Sequence, residues 1–404
     1  MRDATHYLFK EGGQARYGNW ELLYQPPLAK ASCMDGLFAS ANVVHSTQAP
    51  YLKAERDDAP AEAVIKYFSP YLCAGAPNDL SKADDDSDGA VFEGEFANND
   101  GAVLYSLDLG RSWVEAHKGG GKFKVDLTPK LETRTGWLIK LAFQGKGSGV
   151  NSFKSRITGQ LSPAALPFVD GKTKMTFTRS DTDCLVYEPD ISPSEAELRR
   201  LAHAVENYQA FSDSISGHHS FKGGTGAVIF KVDAPGEIVR VQTGARFGGR
   251  SPASMCGVSF SIDDGKTWIT ACDQPIIKDE DHPEEFWGQY VDGILDFQLK
   301  KAYSLGCVPH AKSVRGSDFE PKPVKSVLVK IHTRDGNCAL LNMEGIYVLY
   351  KKPGALPLTI THGWAGGKHV EKIGPSETTK EYTVDGGKLD SNEFIKLDAA
   401  EQRP

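Results

Sequence analysis

"SIDDGKTW", residues 261–268, decides the fold, because the chain uses it twice: residues 106–113 read "SLDLGRSW". Both fit Ser-x-Asp-x-Gly-x-Ser/Thr-Trp, and both follow an alternating apolar run, "AVLYSLD" (102–108) and "CGVSFSID" (256–263). Such a segment reads as a hairpin. The aspartate accepts N–H groups inside the turn, the glycine takes a positive φ, and the tryptophan starts the return strand and packs the corner. The pattern makes Ser106, Asp108, Gly110 and Trp113 structural residues, together with Ser261, Asp263, Gly265 and Trp268. Both tryptophan rings are expected to be largely buried.

Similar runs continue on either side. "AVIKYF" (63–68), "GAVFEGEF" (89–96), "GWLIKLAFQ" (136–144) and "TKMTFTRS" (173–180) alternate apolar with polar residues. So do "GAVIFKVD" (226–233), "EIVRVQTGARF" (237–247), "KSVLVKIHT" (325–333) and "EGIYVLYKK" (344–352). A strand with one face on a core and the other in water has this period. One helix is expected, over "SPSEAELRRLAHAVENYQAF" (192–211), with Ser192 as N-cap and Pro193 in the first turn. "AVIKYFSPY" (63–71) before Trp113 and "AVIFKVDAPGEI" (227–238) before Trp268 extend the echo into an internal repeat. The fold class that follows is all-β: two β-sandwich domains of jelly-roll or Ig-like kind, joined by a short helix. Their expected limits are 1–188 and 212–350, with a helical connector at 189–211 and a small β extension at 351–404.

The chain has 404 residues, 40% hydrophobic and 25% charged, with a net charge of −7. That length exceeds one ordinary core. No run reaches the ~18–20 apolar residues of a membrane-spanning helix. The acidic balance and the lack of a basic block argue against nucleic acid as a partner. Seven scattered cysteines show no Cys-x-x-Cys spacing, so a zinc site has no support.

The two eight-residue segments resemble the Asp-box motif of sialidase-like, BNR-type and other carbohydrate-active β proteins. In those families the box is a structural turn, which implies fold-stabilising roles for Asp108 and Asp263. No third box stands at propeller-blade spacing, so the resemblance implies a carbohydrate-related neighbourhood and not sialidase activity. It also implies a secreted or extracytoplasmic protein whose signal is absent from this chain, a cytoplasmic location being the alternative.

"DDDSDGAVFEGE" (84–95) places Asp84, Asp86, Asp88, Gly89 and Glu95 at the spacing of an EF-hand calcium loop. The flanks read as loop and strand rather than helices, so the expected ion is a structural Ca2+ held by Asp84, Asp86, Asp88 and Glu95. "DQPIIKDEDHPEEFWGQY" (273–290) joins acids to aromatics. Phe286, Trp287 and Tyr290 are candidates to stack on sugar rings, and His282, Glu284 and Glu285 are candidate acid/base groups. "SGHHSF" (216–221) adds His218 and His219, which on a strand point to opposite faces, and "THGW" (361–364) adds His362. The expected partner is an oligo- or polysaccharide, bound by a glycan-binding or surface-structural protein. The alternatives are a carbohydrate-active enzyme (a glycoside hydrolase or polysaccharide lyase) and a subunit of a larger assembly.

Overall fold

The computed structural model describes residues 20–69, 71–75, 88–98, 100–160, 169–212, 217–249, 253–276, 286–307, 311–335, 338–343, 345–352, 357–364, 366–386 and 392–399. It is all-β and divides into two compact units. One is Thr182–Lys352; the other combines Ala4–Asp181 with Pro353–Pro404.

Each unit is a sandwich. In the first half of the chain a five-stranded sheet runs Ala39–Ala41, Ala61–Phe68, Gly136–Phe143, Gly101–Ser106, Val114–Lys118. It faces a second sheet that contains Gly121–Asp126, Ala90–Phe96, Gly149–Gln160 and Trp20–Tyr24. Tyr67 ties the layers: its ring meets Phe92 edge-on at 5.5 Å and its hydroxyl donates to Ser155 Oγ at 2.8 Å. The phenol thereby brings a large apolar ring into the core without leaving its O–H unpaired. In the Thr182–Lys352 unit the five-stranded sheet runs Ala204–Glu206, Gly226–Asp233, Ser326–Arg334, Met255–Ser261, Ile269–Pro275. The facing sheet contains Phe286–Asp296, Ile238–Gly249, Cys338–Met343, Ile346–Lys351 and Thr182–Tyr187, and Tyr187 meets Phe230 across the core at 6.0 Å.

The two five-stranded sheets correspond strand for strand, and the two Ser-x-Asp turns occupy the same hairpin. Ser106 pairs with Leu138 and Ser261 with Leu328. Two residues further along those partner strands, Lys140 lies over the Trp113 ring at 4.3 Å and Lys330 over Trp268 at 5.1 Å. Neither tryptophan enters the core; both are half-buried. Trp113 and Trp268 follow the turn on the outer surface, where the lysine covers them, which corrects the expected burial. The upstream strands also match one residue away from the sequence alignment. Lys66 pairs with Leu138 and Lys231 with Leu328, so "AVIKYF" corresponds to "VIFKVD".

The 189–211 connector is mostly not helical. The helix is Glu195–Leu201, capped by Ser194, whose side chain accepts from Glu197 N–H at 3.1 Å; Ser192 instead donates to Asp190 at 2.6 Å. After Ala202 the chain becomes strand, Ala204–Glu206 and Tyr208–Ser212, with Asn207 at φ 52 between them. Sheet pairing with Gly226–Asp233 and His218–Phe221 outweighs the local helical pattern. This segment belongs to the Thr182–Lys352 unit rather than joining two units.

The 351–404 extension is likewise part of a larger sheet. Asn392–Asp398 lies parallel to Trp20–Tyr24 and covers its edge, and Leu358–Trp364 with Gly367–Ile373 continues outward from it. Thr379–Asp385 pairs with Lys172–Thr178. A parallel pairing between the two ends of a chain leaves no local sequence signal.

Candidate functional site

Within the Thr182–Lys352 unit, the strand Ile238–Gly249 is central to the larger sheet, and its alternation separates two faces. Val241, Ala245 and Phe247 are fully buried toward the sandwich core. Arg240, Gln242 and Arg246 alternate with them on the outer face, Gln242 exposed and the arginines half-buried. The neighbouring strands place specific partners beside them. Arg246 stands between Asn342 and Tyr290, Gln242 between Tyr347 and Ile294, and Arg240 between Leu349 and Asp296. Directly opposed residues sit about 4.5–5.5 Å apart, so Asn342, Arg246 and Tyr290 form one row across three strands.

Gly244, between Gln242 and Arg246, is required for this arrangement. The Tyr290 hydroxyl lies where a Cβ on residue 244 would stand, so the phenol reclines along the sheet. Tyr290 is 39% exposed, one of the few large exposed hydrophobics among the described residues.

The polar groups of the face are poorly used by the protein itself. Arg240 Nε, Arg246 Nε and Asn342 Oδ1 are buried without a hydrogen-bond partner among the described residues. Among the described residues the carboxylates on this face, Asp292 and Asp296, are already committed. Asp292 accepts from Ser304 Oγ at 2.5 Å and from the N–H groups of Leu305 and Gly306 at 3.0 Å; Asp296 accepts from Gln298 and Leu299 N–H. Buried polar atoms in folded proteins are nearly always paired, so three idle ones together make this face a candidate binding surface. On the corresponding face of the other unit Asn151 Oδ1 is also unpartnered among the described residues, but the charges are paired. There Glu93 lies within 4.0 Å of both Lys124 and Lys154, and Arg156 pairs with Asp88 at 3.4 Å.

Tyr290 is the one sequence candidate that this face takes up. Phe286 and Trp287 lie on the same strand, with Trp287 opposite Gly248 in the register. His282, Glu284 and Glu285 lie outside the described residues. Arg240, Gln242, Arg246, Asn342 and Tyr347 were missed. The period-two polar pattern of "VRVQTGARF" was the available signal, but Asn342 and Tyr347 arrive from about a hundred residues away.

The histidines do not assemble into an acid/base pair. His219 is fully buried, its Nε2 2.8 Å from the Ile191 carbonyl and its Nδ1 3.3 Å from the Tyr208 hydroxyl. Burial lowers its pKa, although the Ile191 carbonyl pulls the other way. Neighbouring His218 contacts Ser220 Oγ at 3.2 Å. His362 is buried in a small satellite core and its Nε2 meets the Tyr382 hydroxyl at 2.8 Å.

The acidic tract is only partly in view, since Asp84 and Asp86 lie outside the described residues. Asp88 is paired with Arg156, and Glu95 accepts from Asn151 Nδ2 at 3.2 Å. Glu95 stands on the strand Ala90–Phe96, roughly 20 Å of extended chain from Asp88. Asp88 and Glu95 therefore do not share a coordination sphere, and among the described residues no cluster of three or more ligating side chains forms.

In the Ser-x-Asp turns the serine, aspartate and threonine or serine side chains hold one another. Asp263 accepts from Ser261 Oγ, Thr267 N–H and Thr267 Oγ1 at 2.8, 2.9 and 2.6 Å. Asp108 repeats this with Ser106 Oγ, Ser112 N–H and Ser112 Oγ at 2.9, 2.8 and 2.6 Å. Gly110 and Gly265 take φ of 84 and 86 and donate to the turn serines. A cavity of about 340 Å³ lies beside the second turn, lined in part by Lys231, Asp263, Asp264 and Lys325. Its central carboxylate is consumed by the turn, so the cavity offers less for recognition than the sheet face.

No family model matches the chain, and no curated protein matches it. Among solved structures it is similar to a Bacillus subtilis protein of unknown function with a galectin-like fold: 10% identity, TM-score 0.27, covering 44% of this chain and 98% of that one. It is also similar to the isomalto-dextranase of Arthrobacter globiformis T6 complexed with panose, at 10% identity and TM-score 0.20, covering 75% of this chain and 38% of that one. A sialidase matches at 14% identity and TM-score 0.18, covering 50% of this chain and 20% of that one. Scores this low assign neither family nor function.

Proposed function

We propose that the protein is a carbohydrate-associated β-sandwich protein that binds a saccharide through the outer face of the Thr182–Lys352 unit. One observation carries this reading: Arg240, Arg246 and Asn342 stand with Gln242 on one face beside Tyr290, and Arg240 Nε, Arg246 Nε and Asn342 Oδ1 are buried without a partner among the described residues. A saccharide presents both things such a face recognises, hydroxyl groups for amide and guanidinium partners and an apolar ring face for a phenol. Among the described residues the carboxylates on this face, Asp292 and Asp296, hold loops in place, so the groups it offers a ligand are the guanidinium, amide and phenol. An extracytoplasmic location fits a saccharide partner.

A glycan array followed by calorimetry tests the reading. The wild type is expected to bind at least one oligosaccharide class, and Tyr290→Ala to weaken that binding at least about tenfold while the fold is retained. Binding unaffected by Tyr290→Ala and by Asn342→Ala would place the ligand elsewhere.

A further inference from the structure

We infer that the saccharide taken by this face is anionic, carrying a carboxylate or a sulfate ester, and that Arg246 is the residue that reads the charge. This rests on the saccharide-binding reading and adds the chemical class of the ligand.

The chain carries 53 acidic residues against 46 lysines and arginines. In such a protein a half-buried arginine on a sheet would ordinarily meet a carboxylate, because partial desolvation of a cation is costly unless it is paired. The outer face of the other unit follows that rule, with Glu93 between two lysines and Asp88 on Arg156. Arg240 and Arg246 break it. Neither forms an ion pair or a side-chain hydrogen bond among the described residues, and each keeps its Nε buried and unpartnered.

The neighbours of Arg246 sharpen the point. In register it is flanked by Asn342 and Tyr290, neither of which carries a negative charge at neutral pH. Arg240 has Asp296 opposite it, but that carboxylate accepts from Gln298 and Leu299 N–H. Asp292 is likewise held by the 304–306 segment. The guanidinium of Arg246 is thus an uncompensated planar donor fork, the group best matched to a bidentate oxyanion. Asn342 Oδ1 beside it is a free acceptor suited to a sugar hydroxyl, and the Tyr290 ring on the other side offers a surface for the pyranose face. A guanidinium for an oxyanion, an acceptor for a hydroxyl and an aromatic plane in one row match an acidic sugar.

The test is calorimetry on the full chain with three probes: trigalacturonate, a sulfated galactan oligosaccharide and unsulfated galactotriose. At low ionic strength at least one anionic probe is expected to bind about tenfold or more tighter than the neutral one, with the gap narrowing at high salt. Arg246→Gln should remove that gap, lowering affinity for the anionic probe more than for the neutral one, while Arg246→Lys retains part of the gap. Circular dichroism of both variants separates lost charge recognition from lost fold, and Arg246→Lys reports even if the Gln variant misfolds. Which anionic probe wins tells carboxylate from sulfate. Equal affinity for neutral and anionic probes, unchanged by Arg246→Gln, would overturn the anionic assignment and leave the saccharide reading intact. No binding of any probe by the wild type, and no glycan on an array, would overturn both.

Discussion

Tyr290 lies across Gly244, its hydroxyl in the place that a β-carbon on residue 244 would occupy. A glycine in mid-strand normally weakens a sheet, and here it makes room for an aromatic ring lying flat. Gly244→Ala is therefore expected to lift the ring away from the sheet. Saccharide affinity should fall about tenfold, while the melting temperature changes by no more than a few degrees. Parallel calorimetric titration and thermal melts check this; unchanged affinity would mean that the ring position is irrelevant to the ligand.

Lys330 over Trp268 and Lys140 over Trp113 form a matched pair of cation–π contacts on the outer surfaces of the two five-stranded sheets. Because Trp268 is half-buried, Trp268→Ala should cost on the order of 2 kcal/mol, less than the ~3–5 of a core tryptophan. A double-mutant cycle with Lys330→Met should give a coupling of about 0.5–1 kcal/mol. A coupling near zero would reduce the contact to proximity.

The Ser-x-Asp turns were legible in the sequence because the hydrogen bonds that shape them, among Ser261, Asp263, Gly265 and Thr267, lie within seven residues. Ser261, Asp263 and Thr267 need no distant partner, and strand alternation around them was equally local. What remained hidden came from long range. The helical pattern of 192–211 gave way after Leu201 because Ala204–Glu206 gains a partner in Gly226–Asp233. The parallel pairing of Trp20–Tyr24 with Asn392–Asp398 spans almost the whole chain. The candidate site shows the same division. Arg240 and Arg246 can be placed on one face from alternation alone, but the row Asn342–Arg246–Tyr290 exists only once three distant strands are in register.

Asp263 provides a pH test. The Thr267 hydroxyl, the Thr267 N–H and the Ser261 hydroxyl hold its pKa down to about 2. A carboxylate depressed in the folded state contributes stability above its unfolded value of ~3.9 and loses it as pH falls through the folded value. The gap in melting temperature between wild type and Asp263→Ala should be full at neutral pH and shrink between roughly pH 4 and pH 2. A gap constant over that range would mean that the carboxylate charge does not support the turn.

The acidic tract at 84–95 is expected to lack EF-hand affinity. Its twelfth-position Glu95 is held on the strand Ala90–Phe96 and engaged by Asn151, and Asp88 faces Arg156. Melting curves with calcium and with chelator should coincide at micromolar calcium. A chelator-sensitive melting temperature that disappears in Asp84→Ala, Asp86→Ala would show that the tract holds a structural ion without Glu95.

Saccharide recognition is proposed for the outer face of the Thr182–Lys352 unit. A crystal structure of the full chain soaked with the best array ligand tests it most directly. A sugar ring is expected on Tyr290, with hydroxyl or anionic oxygens within hydrogen-bond distance of Asn342 and Arg246. A sugar bound only at another surface, with this row untouched, would contradict it.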